Sequence, residues 1–366
     1  MKIDYISISY WPIVGGLETL VKNVAERMAQ RGHDVTVHAS YYNPNYNGEL
    51  KKSETLNGVK IVRYRLLPYY IFFPRIKNPE IIHLFSYGDN FIIQSLLQDS
   101  NSLVSSPLGE EIWAKNKIRN KLIGRYALNR SKKIFAHTSY EKKELNSIYG
   151  INNDKIVIWP MGVGDEAFTS PNLKNVREIF LKIADKKYFI RLARMDRFKR
   201  LEFGINLLPH LKDLTYVIAG TTDDLEYLYE LKELSKKLQV NDRIIITGKV
   251  NEDEKKFLLR NSLFYLIANH ETFGGATIEA MAQSVPIIAP RVEEYKDIVL
   301  DRVNALIYEY DSTQSCINSI KLLLQDDNFR QELGENGKII ARKKFHWDNI
   351  IDITEKVYYE VRGSNR

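Results

Sequence analysis

Residues 269–283 read NHETFGGATIEAMAQ. Two carboxylates, Glu271 and Glu279, stand eight positions apart, with Phe273 and the pair Gly274-Gly275 between them. Upstream, LFYLIANHE reads as a strand running into a loop. Downstream, GATIEAMAQ reads as a helix beginning near Gly275, which puts Glu271 in the loop and Glu279 in the first turns. Adjacent glycines let a ligand approach the backbone closely. A helix N-terminus offers free N–H groups and a partial positive charge, which suits a phosphate. A carboxylate accepts two hydrogen bonds at once and so reads vicinal hydroxyls on a ribose or hexose. One strand-loop-helix would thus hold a diphosphate and a sugar together. The plainer alternative is a helix start with an ordinary acidic first turn.

Two further stretches carry chemistry. In RLARMDRFKRLEFG (191–204), Arg194 and Lys199 lie five apart in a loop at a strand end. Two cations beside a helix N-terminus bind a diphosphate and stabilise it as a leaving group. Taken alone, such a loop is more often merely solvated. In YWPIVGGLETL (10–20), Gly15-Gly16 separates a strand from a helix. The third glycine of GxGxxG is missing, so this is no dinucleotide fingerprint. It still allows a phosphate or sugar to touch the backbone. Metal templates are absent: there is no Cys cluster and no HExxH. Among the seven histidines, His38 lies on a strand and reads as structural. His83 and His137, near strand ends, and His270, beside Glu271, are candidates to face a cleft.

Elements that could position these groups alternate along the chain. Strands are expected at 2–9, 34–40, 81–85, 103–106, 133–138 and 155–160. An amphipathic helix is expected over 17–32, with Leu17, Leu20, Val21, Val24 and Met28 as its stripe and Gly32 as its stop. After MGVGDEAF (161–168) a second series begins, with strands at 188–193, 215–220, 243–248, 263–268 and 285–290. The tail is a helix with Trp347, Ile350, Ile351, Ile353 and Val357 on or near one face. Strand-helix alternation means parallel sheets covered on both faces. The fold class is α/β: two Rossmann-like domains facing across a cleft, 1–163 and 164–345, with a C-terminal helix over 346–366. At 366 residues, two domains is the natural expectation. Ligands in such sheets bind at the carboxyl ends of strands, where the three stretches fall.

Together these stretches resemble the retaining family-4 glycosyltransferases of the GT-B fold. That family has a Gly-Gly loop after its first strand, an R-x4-K pair opening its second domain, and E-x7-E with FG between the acids. The resemblance covers nearly the whole chain, including RGHDVTV (31–37), EAMAQSVPIIA (279–289) and DRVNALIY (301–308). It implies that Arg194 and Lys199 hold the donor diphosphate, Glu279 the ribose hydroxyls and Glu271 the transferred sugar. Gly274, Gly275 and Phe273 would line the donor site, and backbone near Lys249-Val250 would meet the nucleobase. Gly15 and Gly16 would lie against the donor from the N-terminal side. It also implies a UDP- or GDP-sugar as donor, no metal and no cofactor, and a final helix that crosses back onto the N-terminal domain. Some positions depart from the family. Leu108 stands where a histidine is usual, Glu293-Glu294 replace a Gly-Gly, Arg200 follows Lys199 in place of glycine, and Met161 replaces an asparagine.

Charge separates the halves. Residues 1–163 carry 22 basic and 14 acidic residues, and the remainder 31 and 32, so the excess of the net +7 lies in the N-terminal half. WAKNKIRNKLIGRYALNRSKK (113–133) is basic without an acid, and RYRLLPYYIFFPRIK (63–77) sets aromatics between Arg and Lys. Both are candidates for an anionic membrane surface; a charged helix face packed on the sheet is the alternative. No run of eighteen apolar residues and no signal-peptide pattern is present, and Cys316 is the single cysteine. A cytoplasmic enzyme, peripheral at the membrane and acting on a glycan, lipid or lipid-linked acceptor, is the expectation. A soluble sugar synthase or phosphorylase of the same fold and a non-catalytic glycan-binding scaffold are the alternatives. A glycoside hydrolase using Glu271 and Glu279 leaves Arg194 and Lys199 without a purpose. No nucleic-acid motif supports a nucleic-acid partner.

Overall fold

The computed structural model describes residues 1–13, 15–41, 48–64, 74–86, 88–107, 118–222, 224–270 and 274–363. Glu271, Phe273 and Leu108 therefore lie outside the described residues, as does most of 63–77 and the start of 113–133. The chain forms two compact units, Met1–Met161 with the C-terminal helix, and Gly162–His346.

The first unit runs β1 (Lys2–Ser7), α1 (Gly16–Gln30), β2 (Asp34–Ser40), β3 (Ser53–Leu56), β4 (Val59–Tyr64), β5 (Ile81–Ser86), α2 (Gly88–Leu97), β6 (Leu103–Pro107), α3 (Ile118–Asn129), β7 (Lys133–Ala136), α4 (Ser139–Tyr149) and β8 (Ile156–Ile158). Its sheet has the order β3-β4-β2-β1-β5-β6-β7-β8, parallel except for β3 on β4. That β3-β4 hairpin is missing from the strands expected above. Its signal was the dipeptide Asn57-Gly58, whose two positive φ angles (50° and 80°) make the tight turn that joins antiparallel strands. One sheet face packs Ile6, Ile82, Leu84 and Ile134 against Phe91, Leu128 and Leu145 of α2, α3 and α4.

The second unit runs α5 (Glu178–Leu181), β9 (Tyr188–Leu192), α6 (Leu201–Leu207), β10 (Thr215–Ala219), α7 (Leu225–Lys237), β11 (Ile244–Gly248), α8 (Glu252–Arg260), β12 (Tyr265–Leu266), α9 (Gly275–Ala282), β13 (Ile287–Pro290), β14 (Ala305–Tyr308), α10 (Thr313–Gln325) and α11 (Asp327–Lys344). All six strands are parallel, in the order β11-β10-β9-β12-β13-β14. β14 was not among the expected strands. At four residues it is too short to show periodicity, and its partner β13 supplies the ladder that fixes it. Phe189 stacks between Tyr216 and Phe264, with ring centroids 4.6 and 5.0 Å away, and anchors one core face.

α12 (Trp347–Gly363) belongs to the first unit and closes its other sheet face. Trp159 donates its indole N–H to Thr354 Oγ1 at 2.7 Å, and Tyr358 meets His83 Nδ1 at 2.6 Å. His83 does not reach a cleft: it is fully buried among Phe85, Phe135, Trp159 and Tyr358. Its Nε2 lies 2.8 Å from the Ser106 hydroxyl. Burial, and then the neighbouring His137, hold its pKa well below the ordinary value, so it is a neutral core side chain. His137 is likewise buried and pushed down to about 4 by desolvation, with its Nδ1 on the Trp159 carbonyl at 3.0 Å. His83 lies within β5, whose alternation turns it onto the face that α12 covers; His137 follows the end of β7 and packs against Trp159. His38 is structural as expected, bridging Asp4 and Tyr64.

Part of the basic surface is also structural. Arg63 is buried and binds Glu54 at 2.6 Å and the Trp11 carbonyl at 2.7 Å, so it is withdrawn from any membrane patch. Arg130 donates to the carbonyls of Ser95 and Gln98. On α3, Leu128 is core, whereas Leu122, Arg125 and Tyr126 are exposed.

Tyr358→Phe removes the hydroxyl that satisfies His83 Nδ1 and leaves a buried polar atom unpaired. A loss of about 1–3 kcal/mol is expected for the first unit. Urea denaturation measures it, and a variant as stable as the parent would contradict this reading.

Candidate functional site

In the second unit the chain leaves β9 toward β10 and β11 on one side, and β12 leads to β13 and β14 on the other. β9 and β12 are neighbours, so their carboxyl ends flank the point where the strand order reverses. In an open parallel sheet, connections part at such a point and ligands bind there. The loop after β9 carries Arg194 and Lys199. The segment after β12 carries Gly274, Gly275 and Glu279.

The β9 loop is held by backbone. Ala193 N–H binds the Ala219 carbonyl at 3.0 Å and Met195 N–H the Thr221 carbonyl at 2.8 Å. Gly220 (φ +153°) sits so close that a Cβ there would overlap the Ala193 carbonyl oxygen. The ends of β9 and β10 are thereby pinched together. Gly220 N–H in turn reaches the Gly248 carbonyl at 3.1 Å, tying in β11. Arg194 projects outward, with its side chain 66% exposed, and Nε meets Asp196 Oδ2 at 3.0 Å. Lys199 closes a single 3-10 turn, its Nζ 5.6 Å from the Phe198 ring centroid. Arg200 then takes the left-handed conformation (φ +51°), costly for a side chain. Its guanidinium offsets that cost by pairing with Asp311 and lying over Tyr310 at 5.0 Å.

α9 begins after Gly274, whose φ of +56° makes it the left-handed residue before the helix. Glu279 is the fifth residue of α9, and Lys255 of α8 binds its Oε1 at 2.7 Å. Burial alone would lower the Lys255 ammonium, but the carboxylates of Glu279 and Glu252 outweigh it and hold its pKa above the ordinary value. Glu279 is thus held in place by Lys255. Lys255 was missed from sequence, since nothing in EDEKK marks a partner 24 residues away. The start of α8 carries a local signal: Asn251 and Glu254 form a reciprocal capping box. That box, with Arg177 donating to the Lys249 carbonyl at 2.9 Å, fixes Lys249 and Val250 at the end of β11.

Gly15 and Gly16 lie in the first unit, at the carboxyl end of β1. Glu18 in the first turn of α1 reaches back to the Ser9 hydroxyl, and its carboxylate occupies the space a Cβ on Gly15 would need. Beside Gly16 the Cβ direction is open for 4 Å. His270, at the end of β12, pairs with Glu294 through Nδ1 and Oε1 at 2.9 Å. Among the described residues, no group of three or more His, Cys, Asp or Glu side chains is placed to hold a metal ion.

Known proteins are similar to this chain in sequence and fold. Residues 14–167 match the family described as Glycosyltransferase Family 4, and residues 174–339 the family described as Glycosyl transferases group 1. An uncharacterized glycosyltransferase of Methanocaldococcus jannaschii is 25% identical, over 98% of both chains. Sucrose-phosphate synthase from Thermosynechococcus elongatus superposes with a TM-score of 0.80 at 16% identity, covering 99% of each chain. Anabaena HepE, solved in complex with UDP, superposes with a TM-score of 0.79 at 15% identity, covering 98% of this chain and all of its own.

Lys255→Met leaves the Glu279 carboxylate without its cation. A loss of about 1–2 kcal/mol of stability in the second unit is expected from the broken charged hydrogen bond. Denaturation midpoints of Lys255→Met and Glu279→Gln, taken singly and together, check it. Additive losses would mean the two residues are not a pair.

Proposed function

The chain belongs to the family-4 glycosyltransferases of the GT-B fold, and from that premise we propose that it transfers a sugar from a nucleoside diphosphate sugar, UDP- or GDP-linked, to a glycan, lipid or lipid-linked acceptor, with retention of configuration. The observation that carries this reading is that the segments bearing these residues leave two neighbouring strands at one reversal of strand order: the Arg194–Lys199 loop follows β9, and α9 with its Lys255-held Glu279 follows β12. The UDP bound by Anabaena HepE supports a nucleoside diphosphate as the leaving group.

Each residue then has a task. Arg194 and Lys199 bind the diphosphate, and the N–H groups at Gly274 and Gly275 add the partial charge of the helix start. As the bond from the anomeric carbon to the phosphate oxygen breaks, its electron pair stays on the diphosphate. The cations stabilise that charge where it develops, the role a metal takes in other transferases. Glu279 accepts from the ribose hydroxyls, and backbone at Lys249 and Val250 meets the base. Glu271 contacts the transferred sugar, with Phe273 beside it. The acceptor hydroxyl attacks from the face the diphosphate leaves, and its proton passes to the departing phosphate oxygen. No enzyme nucleophile is assigned.

The acceptor side belongs to the first unit, with Gly15 and Gly16 as its backbone candidates for donor contact. Exposed Leu122 and Tyr126 beside Arg125 on α3 support contact with an anionic membrane surface at the cytoplasmic face. Among the described residues no helix is long and apolar enough to cross a membrane.

Calorimetric titration with nucleoside diphosphates and their sugars, in EDTA, tests the reading. Selective, metal-free binding of one nucleotide is expected. Arg194→Ala should weaken nucleotide binding by about 2 kcal/mol, the worth of a charge-assisted contact. Glu271→Ala should abolish transfer while leaving nucleotide binding largely intact. Full transfer by Glu271→Ala would sink that assignment, and no binding to any nucleotide would favour a scaffold.

A further inference from the structure

The turn after β11 is held from three sides. The Gly248 carbonyl accepts from Gly220 N–H at 3.1 Å. The Lys249 carbonyl accepts from Arg177 Nη2 at 2.9 Å. Asn251 N–H donates to Glu254 Oε2 at 2.9 Å. Arg177 is itself fixed. Its Nη2 also meets Glu254 Oε2 at 2.9 Å and its Nε meets Oε1 at 2.5 Å, a two-point grip on a carboxylate that is only 1% exposed. Its guanidinium lies 4.5 Å over the ring of buried Phe180. The segment before it is bound to the first turn of α8. Asn172 N–H and Asn175 Nδ2 donate to the two Asp253 oxygens at 3.0 and 2.7 Å, and Asn251 Nδ2 to the Asn175 carbonyl at 2.9 Å.

Arg177 thereby decides what the turn can offer. A peptide group is planar and trans, so its C=O and N–H point opposite ways. Holding the Lys249 carbonyl fixes the direction of the Val250 N–H, which belongs to the same peptide. Among the described residues, that N–H donates to no backbone or side-chain acceptor. It is a donor of set direction just past the carboxyl end of β11.

We propose that Arg177 is a positioning residue for nucleobase selection: by holding the Lys249 carbonyl it aims the Val250 N–H at an oxygen of the base, so that the site takes an oxo base and rejects its amino counterpart. This rests on the reading that backbone at Lys249 and Val250 meets the base. Uracil and guanine carry a carbonyl oxygen where cytosine and adenine carry an amino group. The oxygen accepts from an N–H, whereas an amino group is itself a donor and leaves both groups unsatisfied. Arg177 acts through the peptide, and its charge is directed to Glu254. Its loss is therefore expected in base selectivity, not in diphosphate affinity.

The test compares Arg177→Ala with the parent in the full chain. Arg177→Met combined with Glu254→Gln is the second variant, because it frees the Lys249 carbonyl without leaving a buried carboxylate unpaired. Arg260→Ala is the control, since it removes a contact to Ser170 at the far end of α8. Calorimetry gives Kd for UDP, CDP, GDP, ADP and inorganic pyrophosphate. The parent is expected to bind the oxo nucleotide of its class about fivefold to tenfold more tightly than the amino one, UDP over CDP or GDP over ADP. Both Arg177 variants should bring that ratio to within about twofold and leave the pyrophosphate Kd within about twofold of the parent. Hydrogen exchange in a peptide spanning 247–252 should accelerate in both and not in Arg260→Ala. An unchanged ratio or unchanged exchange would overturn the proposal. So would a pyrophosphate Kd that weakens in step with the nucleotides, which marks a merely structural role. Protection of the same peptide in the parent tests the underlying reading. If nucleotide protects it no more than pyrophosphate does, the base reading fails and this proposal falls with it. Protection in the parent with an unchanged ratio in the variants leaves the base reading standing and removes Arg177 alone.

Discussion

Everything proposed for the second unit depends on the reversal of strand order between β9 and β12. A parallel sheet sends its connections to one face or the other, and where the direction changes the loops part. The space so opened lies over the carboxyl ends of the strands. Side chains rooted there reach a ligand without breaking a ladder. The pinch at Gly220 and the left-handed Arg200 and Gly274 are local means of bringing backbone to this edge. Each is sterically demanding, and each sits beside a residue assigned to the donor.

Electrostatics then fix what topology places. Glu279 is held by Lys255, whose ammonium the carboxylates of Glu279 and Glu252 keep charged despite its burial. Arg194 is partnered loosely, at the surface, by Asp196, and an exposed pair of this kind exchanges partners at little cost. A diphosphate with two negative charges competes well for such a guanidinium. A held carboxylate and an exposed guanidinium suit a ligand that is hydroxylated at one part and anionic at another.

The first unit shows the opposite use of polar groups. His83, Ser106, Tyr358 and Tyr5 form a buried set under α12, where hydrogen bonding makes burial tolerable. The aromatic packing around them joins the last helix of the chain to a sheet built from its first half. Residues that looked chemically able from their type are here part of the fold.

Sequence by itself determined the α/β class, the two series of strands and the order of the motifs. It did so because apolar alternation, helix stripes and glycine-rich strand ends are local patterns, written over a few residues. It marked Arg194, Lys199, Gly274 and Glu279 because their types and spacing are also local. Only tertiary structure decided what those residues touch. Lys255 meets Glu279, Glu294 meets His270, and Tyr358 meets His83 across separations of 24, 24 and 275 residues. No periodicity records such pairs. They arise when strands distant in sequence become neighbours in a sheet, and side chains then find the partners that burial obliges them to have.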